Sequence, residues 1–221
     1  MRKLRALALI ILLLAFLLAG YAYTQIPGNK VASHWNARGE VDAYMDKFWG
    51  VFLFPMMAVP LYLFFLVIPK IDPLKKNIQK FRYYYDLFIV IFLLFFLYIQ
   101  GLTIAWNLGM SYDMNLAILP AIAALFYYLS ILMKKAERNW FIGIRTPWTL
   151  SDDVVWRKTH DAGSKWFKLL AIWFVLLLFF ETTLADYFFW LVVAPLIGVV
   201  LGLVVYSYWL YAKTEKVHLV R

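Results

Sequence analysis

The 221-residue sequence contains no cysteine and only three histidines. Without cysteine it has no disulfides, thiolate metal sites or cysteine nucleophiles. Only 16% of the residues are charged, whereas 64% are hydrophobic, a composition far from that of a soluble domain. His-Glu-x-x-His, Gly-x-Ser-x-Gly and phosphate-binding glycine motifs are also absent. We therefore predict an integral membrane protein that is not an enzyme and uses no cofactor.

Six apolar segments have about the twenty residues that a helix needs to cross the hydrocarbon core of a bilayer. They cover approximately residues 4–23, 48–68, 86–108, 116–133, 166–184 and 187–211. This pattern predicts an all-α fold with six transmembrane helices. The first segment follows a basic N-terminus and is either a retained span or a cleaved signal peptide.

The basic residues are concentrated in alternate connecting segments. If the N-terminus is cytoplasmic, 19 of the 22 lysines and arginines lie on the cytoplasmic side, and only Lys30, Arg38 and Lys47 lie outside. The connecting segments are short enough for the positive-inside rule to apply. Topology thus explains the net charge of +9 without a nucleic-acid partner. We predict a multi-pass protein of the cell membrane with both termini in the cytoplasm.

The largest predicted cytoplasmic loop, residues 134–168, has its own folding signals. Gly143 and Pro147 favour a turn, and Thr149 and Ser151 are suitable N-caps for a helix over about 152–161 that ends at Gly163. One face of this helix carries Asp153, Arg157 and Asp161 at i,i+4 spacing, which predicts salt bridges among them, and the other carries Val155, Trp156, Thr159 and His160. We predict an amphipathic interfacial helix in this loop.

Two sets of residues resemble the SdpI family of multi-pass membrane proteins. The first set is Asn139, Gly143, Ile144, Arg145, Thr146, Pro147, Trp148, Trp156, Thr159 and His160. The second set is similar to an uncharacterised module that often precedes the SdpI segment, and comprises Ile26, Pro27, His34, Trp35, Asn36, Gly39, Asp42 and Lys47. The resemblance divides the chain into a four-span region at 1–133, which includes an extracytoplasmic loop at 24–47, and an SdpI-like region at 134–221. It also favours a retained first span.

The resemblance implies a function that the composition does not show. The namesake of the family gives a bacterium immunity to its own secreted peptide toxin, and toxin binding leads it to hold a transcriptional repressor at the membrane. A similar chain would face a toxin with its outer loops and bind a small repressor through residues 134–168. The alternative is a small membrane transporter or lipid-handling protein without catalytic activity, built on proline-kinked second and fourth spans.

Polar residues inside the predicted spans are further candidates because they are costly in lipid. Gln100, Thr103 and Asn107 share a face of the third span, and Glu181 lies near the outer end of the fifth. We interpret them as hydrogen-bonding residues between helices, the alternative being a polar groove open to the outer leaflet. Ala194, Gly198 and Gly202 form a small-residue face on the sixth span that predicts close packing against another helix.

The histidines lie too far apart in the predicted topology to share a metal. His34 with Glu40, Asp42 and Asp46 would be an alternative metal site, but a single histidine falls short of the usual ligand set. We therefore predict no metal and a hydrogen-bonded His34 in a turn. For His160 we predict packing beside Trp156, with a proton-sensing or ligand role as the alternative.

Arg145 lies in the turn bounded by Gly143 and Pro147. A guanidinium in this position has three kinds of partner: a lipid phosphate, a carboxylate of another protein, or backbone carbonyls that close the loop. The sequence leaves all three open.

Overall fold

The computed structural model describes residues 2–180 and 187–219, with side chains as far as residue 214. The chain is mostly helical. In order, its elements are α1 (Arg2–Gln25), β1 (Lys30–Trp35), β2 (Val41–Asp46), α2 (Lys47–Ile71), α3 (Lys75–Lys80), α4 (Arg82–Asn107), α5 (Met114–Lys135), α6 (Pro147–Ser151), α7 (Asp153–Leu177) and α8 (Phe188–Leu219).

Five helices within the described residues are long and apolar enough to cross a membrane: α1, α2, α4, α5 and α8. They correspond to the first four and the sixth of the predicted spans. The predicted fifth span is not a separate helix, because its first part is continuous with the predicted interfacial helix in α7. Its last residues, including Glu181, lie outside the described residues. The part of the chain that the structure describes thus has five candidate spans and a further long helix, α7, whose first turns are amphipathic.

The predicted helix end at Gly163 is wrong, and α7 continues through this residue. Gly163 instead permits a close approach, since an added Cβ would lie 2.6 Å from Ile144 Cδ1 and 3.0 Å from Met133 Sδ. The predicted caps also differ. Asp152 is the N-cap of α7 and accepts hydrogen bonds from the Val154 and Val155 amides, whereas Thr149 and Ser151 lie in the short helix α6.

The predicted loop over residues 24–47 contains a β-hairpin, which an all-α fold does not include. β1 and β2 pair antiparallel, with Lys30 opposite Asp46 and Trp35 opposite Val41. The Asn36 side chain closes the turn, because its Oδ1 accepts hydrogen bonds from the Arg38 and Glu40 amides at 2.8 and 3.1 Å. Gly39 has a φ of +75°, which other residues rarely adopt.

Gln100 joins three helices in the core of the bundle. Its amide nitrogen donates to the carbonyls of Ala15 in α1, at 2.9 Å, and Val51 in α2, at 3.4 Å. Thr103 is also buried and donates to Ile99 of its own helix at 3.0 Å. Gln100 therefore acts between helices as predicted. Neither side chain lines an open groove.

Asn107, at the end of α4, fastens the hairpin to the bundle. Its Oδ1 accepts from the Ala32 amide at 2.7 Å, and its Nδ2 donates to the Ala32 carbonyl at 3.1 Å. The side-chain amide of Asn115 donates to the Ala37 carbonyl at 3.1 Å, so the hairpin tip also contacts the start of α5. We call this side of the bundle the hairpin end.

The small-residue face of α8 does not pack as predicted. Ala194, Gly198 and Gly202 are exposed, and a Cβ added at either glycine would meet no other atom within 4 Å. The close contact between α7 and the rest of the chain is made at Gly163 instead. The face of α8 lines a groove, described below.

Candidate functional site

The segment between α5 and α7 folds back over the end of the bundle, and we call residues 136–160 the cap. Asn139, which has no exposed surface, is at its centre. Its Nδ2 donates to the carbonyls of Glu137 and Ile142 at 2.8 and 3.0 Å. Its Oδ1 accepts from the amides of Phe141 and Ile142 at 2.9 and 2.6 Å. One side chain thus uses all four of its hydrogen-bonding positions to fix the turn.

Asp72 connects the cap to the segment between α2 and α4. Its carboxylate is 1% exposed and accepts hydrogen bonds from the Leu74 amide at 2.6 Å and the Trp140 amide at 2.9 Å. Asn77 adds a second link by donating to the Arg138 carbonyl at 2.8 Å. Sequence reasoning missed both residues. An Asp directly before a proline, here Pro73, is typical of an ordinary turn. Its hydrogen-bond partner Trp140 lies 68 positions away.

Gly143 and His160 lie close together within the cap. Gly143 has a φ of +112°, and an added Cβ would lie 2.3 Å from His160 Nε2. That nitrogen accepts a hydrogen bond from the Ile144 amide at 3.0 Å. His160 Nδ1 donates to the Trp156 carbonyl at 2.9 Å. These two partners fix a neutral tautomer with its proton on Nδ1.

The environment of His160 also keeps it neutral. Burial lowers its pKa to about 4, although the hydrogen bond to Trp156 and the charge of Asp161 act in the opposite direction. The ring stacks on Trp156 at 3.9 Å between centroids. At neutral pH the imidazole is therefore an uncharged packing and hydrogen-bonding residue, as the sequence analysis predicted. A sensor of small changes near pH 7 requires a higher pKa.

Trp156 joins the start of α7 to the first residue of the cap. It is 1% exposed, and its indole Nε1 donates to the Ala136 carbonyl at 2.8 Å. Val155, Thr159 and His160 are buried on the same side, whereas Asp153, Arg157 and Asp161 are exposed. The two faces of the predicted amphipathic helix are thus correct. The predicted pairing differs, because Asp153 forms its ion pair with Arg138 of the cap at 2.8 Å.

Thr146 links the cap to α8. Its side chain caps α6, with Pro147 in the first turn, and Thr149 completes the capping box. The Thr146 hydroxyl also lies 2.9 Å from the Ser207 hydroxyl of α8. Trp148 packs against Tyr208 nearby, at 5.1 Å between ring centroids. The cap thereby contacts α5, α7, α8 and the α2–α4 segment.

Arg145 lies on the outer surface of the cap. It is exposed, and its Nη1 donates to the Trp140 carbonyl at 2.9 Å. Of the three kinds of partner considered above, the structure shows the loop-closing carbonyl. Trp140 itself is 51% exposed, so the surface of the cap presents both an aromatic and a cationic side chain.

The second predicted set of residues lies at the hairpin end. His34 Nδ1 and Asp42 Oδ1 are 2.6 Å apart on paired strands, and both side chains are well exposed. Trp35 packs edge-to-face on Trp106 of α4, with ring centroids 5.6 Å apart. Pro27 precedes β1 in an exposed turn. Among the described residues, no group of three metal-binding side chains forms here.

Two segments of the chain match known sequence families. Residues 135–207 match the SdpI/YfhL protein family. That segment comprises the cap, α7 and much of α8. Residues 10–59 match a domain of unknown function, DUF1648, which includes the hairpin. The resemblance inferred from the two sets of residues is thus confirmed.

One curated relative extends the match to most of the chain. This relative is Immunity protein SdpI of Bacillus subtilis (strain 168). Our chain is 26% identical to it over 163 residues, which are 74% of this chain and 75% of that protein. No solved structure matches the chain significantly. With five candidate spans among the described residues and this relative, the chain is a multi-pass membrane protein that is similar to an SdpI immunity protein.

Proposed function

We propose that the protein gives immunity to a secreted, membrane-active peptide toxin. The observation that carries the proposal is the similarity to an immunity protein over three quarters of both chains, which includes the whole of the cap. The structure supports it in a more limited way. The residues of the two matched motifs lie at opposite ends of the bundle, as a protein that acts on both sides of a membrane requires.

The protection itself is tested in Bacillus subtilis that lacks its own SdpI and grows beside a toxin-producing wild-type culture. Expression of this chain is expected to restore survival, whereas an empty vector does not. The comparison requires equal membrane-inserted amounts, measured by fractionation and immunoblotting. Killing of cells that contain normally inserted protein would argue against immunity to that toxin.

We further propose that the hairpin end faces outward and the cap faces the cytoplasm. The segments at the cap end carry most of the basic residues, whereas Lys30, Arg38 and Lys47 lie at the hairpin end. In this orientation the hairpin faces a toxin. The cap, with Arg145 and Trp140 exposed, is the surface that would hold a small repressor protein. This proposal keeps the six spans predicted from the sequence, with α7 supplying the fifth.

Single cysteines test this orientation, because the chain has none of its own. Cysteine at Asn29 or Met110, exposed near the hairpin end, is expected to react with impermeant maleimide added to intact cells. Cysteine at Gln79 or Arg157, exposed at the cap end, is expected to react only after the membrane is permeabilised. Labelling of Gln79→Cys in intact cells would reverse or refute the assigned topology.

A further inference from the structure

A long groove runs along α7 and α8, and no residue of the hairpin lines it. Its apolar section has a volume of about 660 Å³. The walls are mainly aromatic and aliphatic, with Trp166 and Trp173 from α7 and Tyr206 from α8. Gly198 and Gly202 also line it, and their missing side chains leave the space open.

The groove becomes basic towards the cap end. A second section of about 890 Å³ continues from the first and shares Ala162, Trp166, Leu169 and Tyr206 with it. This section carries Lys158, Lys165 and Lys213, with Asp161 as its acidic residue. Since α7 and α8 are antiparallel, lysines from both helices meet at the same end. The groove is thus amphipathic along its length.

The dimensions of the groove match one leaflet of a bilayer. From Tyr206 to Pro195 the apolar section follows eleven residues of α8, or about 16 Å at 1.5 Å per residue. That is close to half of the hydrocarbon core, which is about 30 Å thick. The basic section begins where the leaflet would reach its headgroups. Trp209 lies there, with Lys213 Nζ 3.9 Å from its ring centroid.

We propose that this groove binds an anionic phospholipid. An acyl chain lies in the apolar section, and the headgroup phosphate lies between Lys165 and Lys213. Basic pockets between membrane helices are known to bind anionic headgroups. Charge complementarity selects this occupant over a zwitterionic lipid, because the lysines outnumber the acidic residue of the section.

A second copy of the chain is a poorer occupant. In a symmetric dimer the same surface of each copy forms the contact. With both copies inserted in the same orientation, the three lysines of one would face the three of the other. The lipid proposal does not depend on the proposed toxin and repressor functions, because neither the hairpin nor the exposed Arg145 and Trp140 of the cap line the groove.

The test compares retained lipids by native mass spectrometry of the full chain, purified in detergent with equal phosphatidylglycerol and phosphatidylcholine. The wild type is expected to retain about ten times more phosphatidylglycerol than phosphatidylcholine. Lys165→Gln/Lys213→Gln is expected to remove that preference. Its control, Lys75→Gln/Lys76→Gln, removes the same charge from exposed residues of α3 and is expected to keep it.

A second pair of variants tests the apolar section. Gly198→Leu/Gly202→Leu fills the groove and is expected to reduce retention of either lipid by about tenfold, without loss of folding, since no atom lies within 4 Å of the added Cβ. Gly101→Leu has equally open surroundings in α4 and serves as the control. Retention unchanged in the glycine variant, or a phosphatidylglycerol preference unchanged in the lysine variant, would overturn the proposal. So would a wild-type dimer, free of bound lipid, that the glycine variant converts to a monomer.

Discussion

Replacement of Gly143 with alanine is expected to cause the largest loss of stability of any single methyl addition in the cap. The backbone at Gly143 has a φ of +112°, and strain of this kind costs a non-glycine residue about 1–3 kcal/mol. The new Cβ would also lie 2.3 Å from His160 Nε2, so the ring must move. That movement breaks its hydrogen bonds to Ile144 and Trp156, each contributing about 1 kcal/mol.

The measurement is the apparent unfolding midpoint in detergent, together with hydrogen exchange at the Ile144 amide. A loss of roughly 3–5 kcal/mol is expected from these contributions, and the Ile144 amide should exchange much faster. Gly109→Ala is the matched control. Gly109 has a φ of +97°, and no atom lies within 4 Å of an added Cβ. The stability loss of this variant therefore measures backbone strain alone. Equal losses in the two variants would mean that the His160 contact contributes nothing.

The sequence predicted the structure correctly where a local pattern of residues determines it. Long apolar segments identified α1, α2, α4, α5 and α8, because a membrane helix satisfies its own backbone and needs no distant partner. The buried face of α7 followed from the spacing of Trp156 and His160. The family resemblance directed attention to Asn139 and Gly143, and the structure gives each a physical reason: a fully hydrogen-bonded amide and a backbone that favours glycine.

The errors occurred where the structure depends on residues far apart in the chain. Gly163 was predicted to end a helix, yet it is the point at which Ile144 and Met133 approach α7. The hairpin was missed because neither strand alternates clearly, and its register is secured by Asn107, 75 positions from Ala32. Asp72 was overlooked for the same reason. Contacts between residues far apart in the chain leave no local sequence pattern from which they could be predicted.

The cap offers a way to separate signalling from folding in the proposed function. Arg145 is exposed and makes one hydrogen bond, to Trp140, so alanine in its place is expected to cost no more than about 1 kcal/mol of stability. Trp156 is buried, stacks on His160 and donates to Ala136. Its replacement by alanine is expected to cost about 3–5 kcal/mol, as for other buried aromatic residues. The two variants therefore distinguish surface recognition from support of the cap.

In a host that carries the cognate toxin and repressor, Arg145→Ala is expected to reduce repressor recruitment to membranes by about tenfold, which corresponds to 1.4 kcal/mol of binding. Survival should remain at the wild-type level. Trp156→Ala is expected to lower the amount of inserted protein, and with it both survival and recruitment. Lys75→Ala removes an exposed charge from α3, next to the cap end, and should change neither. Normal recruitment by Arg145→Ala at normal protein levels would show that this guanidinium only closes the loop, and the docking surface would then have to lie elsewhere.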